Sequence, residues 1–268
     1  MNEPTDRLTL EDVRDTRTAA PLIDSRRHDA VIFDMDGVVT DSASIHAAAW
    51  TELFNDFLAH RPAVPGEDHS PFTPDDYLRW VDGKPRTRGT VDFLAARGIS
   101  LPPGDPSDAP DADTVYALSS RKDRLFLARI ARDGVPVFDS TVALIHRLQA
   151  AGLGTAIFSA SRNCAEVLRA AGVGDLFKVR VDGVVAEELG LAGKPDPDML
   201  LEAARRLGAN PDRTVVVEDA EAGVRAGHDG GFGLVIGVNR GGHAERLRES
   251  GADVAVEDLA EVQLHSEQ

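Results

Sequence analysis

A single cysteine, Cys164, stands in a chain of 268 residues. No disulfide can form within the chain, and a reducing compartment is its natural setting. Lysine is nearly as scarce: Lys84, Lys122, Lys178 and Lys194 are the four lysines among 29 basic residues. Positive charge as a whole is outnumbered, because 45 Asp and Glu leave a formal net charge of −16. A field of that sign repels nucleic-acid backbone and anionic membrane, so neither is expected as a partner. Long apolar runs are missing as well; those present are strand-sized, far short of the ~20 residues that span a bilayer. The first six residues, Met1 to Asp6, are polar and acidic, unlike a basic then apolar signal peptide. The expectation is a soluble, cytoplasmic monomer.

What is present reads as one ordered architecture. Residues 1–27 are rich in charge and poor in large apolar side chains, and are expected to be an extension with one short helix around Leu8–Arg17 and little core of its own. Ala30-Val31-Ile32-Phe33 then reads as a buried parallel strand that ends on the acidic turn Asp34-Met35-Asp36-Gly37. Between about 46 and 134 no strand is expected. Helical spacing recurs near Ser44–His60, Thr73–Trp80, Thr87–Gly98 and Thr114–Gly134, and the Pro- and Asp-rich stretch 102–111 can only be a loop. From Ser140 helices and strands alternate, with strands at Thr155–Ser159, Val179–Asp182, Thr214–Glu218 and Gly233–Val238, then a last helix and strand within Ala244–Val256. Such alternation implies a parallel sheet with right-handed crossovers. The predicted fold class is α/β, a doubly wound, Rossmann-like parallel sheet with an inserted helical cap. Its expected divisions are an extension (1–27), a core (28–45 and 135–268) and a cap (46–134).

Ligands of such sheets lie beyond the carboxyl ends of the strands. Asp34 and Asp36, Ser159, Lys194 and the pair Glu218-Asp219 all fall on that edge. An Asp-x-Asp-Gly turn alone is more often just an acidic turn. Four carboxylates gathered on one edge repel each other unless a cation relieves them, and hard oxygen donors suit Mg²⁺. Lys194, in Gly193-Lys194-Pro195, offers a point charge for a phosphate oxygen, or else is a solvated lysine before a Pro-started helix. It is not a P-loop lysine, because the glycine spacing is wrong and Pro195 stands where Ser or Thr is required. Ser159 precedes the helix beginning near Cys164 and could serve an anion or simply cap that helix. Cys164 itself reads as a small buried residue.

The order Asp34-Met35-Asp36-Gly37-Val38, Ser159, Lys194-Pro195 and Glu218-Asp219 resembles the haloacid-dehalogenase-like phosphatase superfamily over about 230 residues. Within it, the chain resembles the β-phosphoglucomutases. The start Asp34 to Ser42 with His46 and Trp50 is similar to theirs, as is the loop Ser159-Ala160-Ser161-Arg162-Asn163. Asp82-Gly83-Lys84-Pro85-Arg86 falls where those enzymes carry a Gly-x-x-Arg substrate loop, and Arg121-Lys122-Asp123 resembles a second cap element. Two departures stand out: Gly89 replaces a frequent serine, and Val137-Phe138-Asp139-Ser140 replaces an apolar-Pro-Gly turn.

The resemblance implies roles. Asp34 is the nucleophile, and Asp36 is the general acid and base, oriented by His46. Ser159 and Lys194 hold the transferring phosphoryl group. Mg²⁺ is bound by Asp34, Asp219 and the Asp36 carbonyl, with Glu218 in or beside the shell. Gly83, Lys84, Arg86 and Lys122 in the cap, with Ser159 to Asn163 in the core, contact a small phosphorylated sugar. The expected activity is interconversion of β-glucose 1-phosphate and glucose 6-phosphate through a phosphoryl-aspartate and glucose 1,6-bisphosphate. A Mg-dependent sugar-phosphate phosphatase and a non-catalytic sugar-phosphate-binding regulator are the alternatives. Binding alone does not need both aspartates, which argues against the regulator.

Overall fold

A computed structural model of the protein describes residues 21–82 and 84–266. Gly83 and the helix expected around Leu8–Arg17 lie outside the described residues.

The chain begins with β1 (Leu22–Asp24), β2 (Ala30–Asp34) and α1 (Ala43–His60), followed by a single turn α2 (Pro74–Asp76) that runs into a π-helical turn over Tyr77–Val81. Next come α3 (Arg86–Ala96), α4 (Val115–Asp133) and α5 (Asp139–Ala150). Strands and helices then alternate: β3 (Gly154–Phe158), α6 (Cys164–Ala170), β4 (Val179–Val181), α7 (Gly183–Leu189), α8 (Asp198–Leu207), β5 (Thr214–Glu218), α9 (Glu221–Asp229), β6 (Leu234–Val238), α10 (Ala244–Glu249), β7 (Val254–Val256) and β8 (Gln263–His265).

Six strands form one parallel sheet in the order β4-β3-β2-β5-β6-β7. The apolar runs are continuous because both faces are covered. Val31 and Phe33 of β2 join Ile157, Val215 and Val217 in one core layer, whereas Ile32 joins Ala156, Phe158 and Val216 in the other. This is the predicted doubly wound architecture. β2 sits between β3 and β5, with Asp34 opposite Phe158 and Phe33 opposite Val217. That register alone brings Asp34, Ser159 and Glu218 to neighbouring positions on the carboxyl edge.

The inserted cap is helical and builds its own core. Trp50, Leu53, Phe54, Phe57, Phe72, Phe93, Leu94 and Leu118 are buried together, with the Phe54 and Phe93 rings 4.1 Å apart. The chain enters and leaves this layer through paired segments: Thr40 bridges Val137, and the Asp41 and Phe138 amides donate to the Pro136 and Val39 carbonyls. Residues 102–111 carry no helix or strand, as expected. Among the described residues no helix is long and apolar enough to cross a membrane.

Three expectations need correction. Residues 22–24 do not belong to an extension with little core: β1 pairs in parallel with β8, and Ile23 is fully buried in the sheet's core. The strand series does not end at Val256, since β8 follows it. The segment expected as a helix over Thr73–Trp80 is a capped turn passing into a π-turn, the Asp82 amide donating to the Tyr77 carbonyl. The capping box of Thr73 and Asp76 explains where it starts.

Candidate active site

At the end of β2 the chain must turn sharply to let another carboxylate in. Gly37 has φ of 79°, and a Cβ there would lie 1.8 Å from Asp219 Oδ2. Glycine is thus required twice over, by backbone conformation and by contact. A similar crowding seats Glu218: a Cβ on Gly223 would meet its Oε1 at 1.8 Å. Its other oxygen accepts the Ala220 amide at 2.6 Å.

Lys194 reaches across from the loop before α8 and donates to Asp34 Oδ1 at 2.5 Å and to Glu218 Oε1. Its ammonium also lies 4.3 Å from the centre of the Phe158 ring. Burial pulls the Lys194 pKa down, but the two carboxylates outweigh it and hold the ammonium charged, above the usual lysine value. Burial raises the carboxyls of Asp34 and Asp219; Lys194 opposes the rise at both, while Glu218 and Asp36 add to it at both and Asp34 adds to it at Asp219. Asp36 is raised by burial too, opposed by a hydrogen bond from the Ser42 hydroxyl.

Ser159 is buried at the end of β3, where its hydroxyl accepts the Ser161 amide at 3.1 Å; the Ser161 hydroxyl in turn accepts the Asn163 amide at 3.1 Å. These two turns shape the Ser159–Asn163 loop beside Asp34. The core candidates Asp34, Asp36, Ser159, Lys194, Glu218 and Asp219 are therefore brought together on one edge, and Ala160 and Ser161 lie in the adjoining loop.

A divalent cation fits this edge by donor chemistry. The carboxylates are oxygen donors; Lys194 is the cation paired with Asp34 and Glu218, and the Asp219 side chain has no hydrogen-bond partner among the described residues. No three Asp, Glu, His or Cys side chains stand together as a ready ligand set among the described residues. Glu218 lies beside Asp34 and Asp219 and turns its oxygens to Lys194 and the Ala220 amide.

The cap candidates divide. Lys122 is buried and donates to His46 Nδ1 at 2.6 Å, with the Trp50 and Phe126 ring centres 5.2 and 4.9 Å away. Burial lowers its pKa to about 8, and the nearby charges of Asp123 and Asp36 oppose that fall. His46, stacked on Phe126 at 4.1 Å, is lowered to about 3 by burial and then by Lys122, so its ring is neutral and its proton sits on Nε2. His46 is thus not the partner of Asp36; that place is taken by Ser42. Arg86 pairs with Asp123 at 2.7 Å, and Asn163 donates to the same Asp123 oxygen at 2.8 Å. Two other candidates face elsewhere: Lys84 pairs with Asp92 at 2.8 Å, and Arg162 pairs with Glu187.

Sequence reasoning missed Tyr77. Burial first, then the neighbouring Asp82 and the charges of Asp36 and Asp219, push its pKa upward. A cap residue that feels two core carboxylates lies over the cleft. The π-turn was the available clue, since such turns gather at functional sites, but a tyrosine at helical spacing gives no hint of it.

Residues 28–231 match the haloacid dehalogenase-like hydrolase family. The chain belongs to that family. It is 50% identical over 246 residues to an uncharacterised glycosyl hydrolase of Mycobacterium tuberculosis strain H37Rv, which covers 92% of this chain; the chain spans only 18% of that relative's length. It is 46% identical over 237 residues to a β-phosphoglucomutase of Mycobacterium bovis, covering 87% of this chain and 90% of the relative. Among solved structures, a β-phosphoglucomutase from Clostridium difficile shares the fold with a TM-score of 0.66 at 23% identity, covering 87% of this chain and 92% of that one.

Proposed function

We propose that the protein is a β-phosphoglucomutase, interconverting β-glucose 1-phosphate and glucose 6-phosphate through a phosphoryl-aspartate on Asp34 and a bound glucose 1,6-bisphosphate. The supporting observation is a second set of anion-binding groups facing the core carboxylates: Lys122 lies near enough to Asp36 for each to shift the other's titration, and Arg86 reaches the core loop through Asp123. A phosphatase needs one phosphate site. A mutase needs two, at opposite ends of a sugar that turns around.

In this reading Lys194 holds Asp34 Oδ1, and the other carboxylate oxygen attacks phosphorus as the sugar oxygen leaves. Asp36, whose carboxyl is raised by burial, would give a proton to that departing oxygen and take one from the incoming hydroxyl; such transfer contributes roughly 10²–10⁴-fold. Ser159 and Lys194 meet the equatorial oxygens, where negative charge gathers. Asp34, Asp219 and the Asp36 carbonyl would hold Mg²⁺, which supplies charge neutralisation between the nucleophile and a dianionic phosphate. Arg86, Lys122 and Asn163 grip the non-transferring phosphate, guanidinium doing so through paired donors. Local cations thereby overcome the repulsion of a chain with net charge −16.

The test is to supply β-glucose 1-phosphate, Mg²⁺ and a trace of the 1,6-bisphosphate, and to follow glucose 6-phosphate and free phosphate together. Glucose 6-phosphate without phosphate release is expected. Free phosphate as the main product would replace the mutase by a sugar-phosphate phosphatase, and absence of both products would leave a binding protein.

A further inference from the structure

One carboxylate oxygen in the cleft is held from both layers of the molecule, by an ion pair and by a hydrogen bond. Asp123 stands on α4, and its Oδ1 forms an ion pair with Arg86 Nη1 of the cap at 2.7 Å and accepts a hydrogen bond from Asn163 Nδ2 of the core at 2.8 Å. The Arg86 and Asp123 side chains keep 34% and 23% of their surface exposed, so both remain within reach of a solute. An ordinary surface ion pair would join α3 to α4 and stop there. The second donor, at the residue flanking α6, makes the same oxygen a bridge between cap and core.

Guanidinium and amide donors ask of a phosphate what they receive here, an anionic oxygen at hydrogen-bond distance. We infer that Asp123 occupies the place of the distal phosphate, latching cap to core until a sugar phosphate displaces it. The inference rests on the proposed reading of Arg86 and Asn163 as the grip on that phosphate. Its physical content is competition. While Asp123 holds both donors, Arg86 is neutralised, and an arriving dianion meets a carboxylate of like sign. Rotation of the Asp123 side chain releases the guanidinium and the amide together. A small ester without a sugar to span the cleft, such as phenyl phosphate, seats its one phosphate against the core and leaves the carboxylate undisturbed. The latch therefore favours substrates that carry their phosphate at the far end of a sugar, and it holds the cleft together when no such group is bound.

The experiment is equilibrium binding of glucose 6-phosphate and of phenyl phosphate to the full chain and to Asp123→Asn, Asp123→Ser, Arg86→Ala and Arg86→Ala/Asp123→Asn. Far-ultraviolet circular dichroism checks that each variant is folded. Both Asp123 variants are expected to bind glucose 6-phosphate at least about threefold tighter, the size of one partly screened opposing charge, and phenyl phosphate unchanged. The gain should vanish in the double variant, because Asp123 acts through Arg86. Unchanged or weaker glucose 6-phosphate binding in both Asp123 variants, with Arg86→Ala weakened, overturns the latch and leaves the phosphate grip standing. Unchanged binding in Arg86→Ala removes the grip itself and the inference with it. Neither result depends on whether water or sugar collects the phosphoryl group.

Discussion

Gly37 and Asp219 are 182 positions apart in the chain, yet the space for one is set by the other. The positive φ at Gly37 costs a non-glycine residue about 1–2 kcal/mol on its own, before a methyl group meets Asp219 Oδ2. Gly37→Ala is expected to lower the unfolding free energy measured by urea titration by at least that amount and to abolish turnover, because relief requires moving a carboxylate of the site. Retention of wild-type stability and rate would show that the loop yields freely. Lys122 carries a different kind of prediction. Burial holds its pKa at about 8, below the ordinary lysine value, so its ammonium is present below that pH and is lost as the pH rises through it. On the proposed reading, KM for the sugar phosphate rises above about pH 8. Lys122→Arg keeps the charge at every such pH, and its profile should lose that limb. A limb that survives the substitution would assign the titration to another group.

Among the elements, the strand ends were legible because each is a short apolar run closed by a polar residue: Asp34 after Phe33, Ser159 after Phe158, Glu218 after Val217. Local pattern fixed these, and the sheet register did the rest. What local pattern does not hold is the choice of partner. Lys122 with His46, Arg86 with Asp123 and Arg162 with Glu187 are pairings made by packing α1, α3, α4 and the core loops against each other. β1 was missed because three residues are too few for an alternation to register, and its partner β8 lies at the far end of the chain. In the cap the aromatic residues carry the packing. Phe54 is fully buried against Trp50, Phe72 and Phe93, with centroids 4.1–5.2 Å away. Phe54→Ala should cost about 3–5 kcal/mol, read as a fall in thermal midpoint. A loss below 1 kcal/mol would mean that the cap core closes over the gap.

For the molecule as a whole, the acidic chain keeps its useful cations in one cleft: Lys194 from the core, with Lys122 and Arg86 from the cap. The cap and core meet at Asp123, which accepts from Asn163, so on the proposed reading the side chains that choose the substrate stand beside the carboxylates that carry the chemistry. The proposed chemistry passes through a covalent bond to Asp34. The most direct measurement is to mix the protein with Mg²⁺ and glucose 1,6-bisphosphate, quench in acid and map the phosphorylated peptide by mass spectrometry. An acid-stable, base-labile phosphoryl group on Asp34, absent from Asp34→Asn and discharged when β-glucose 1-phosphate is added before the quench, is the predicted result. A phosphoryl group on any other residue, or turnover by Asp34→Asn, would contradict it.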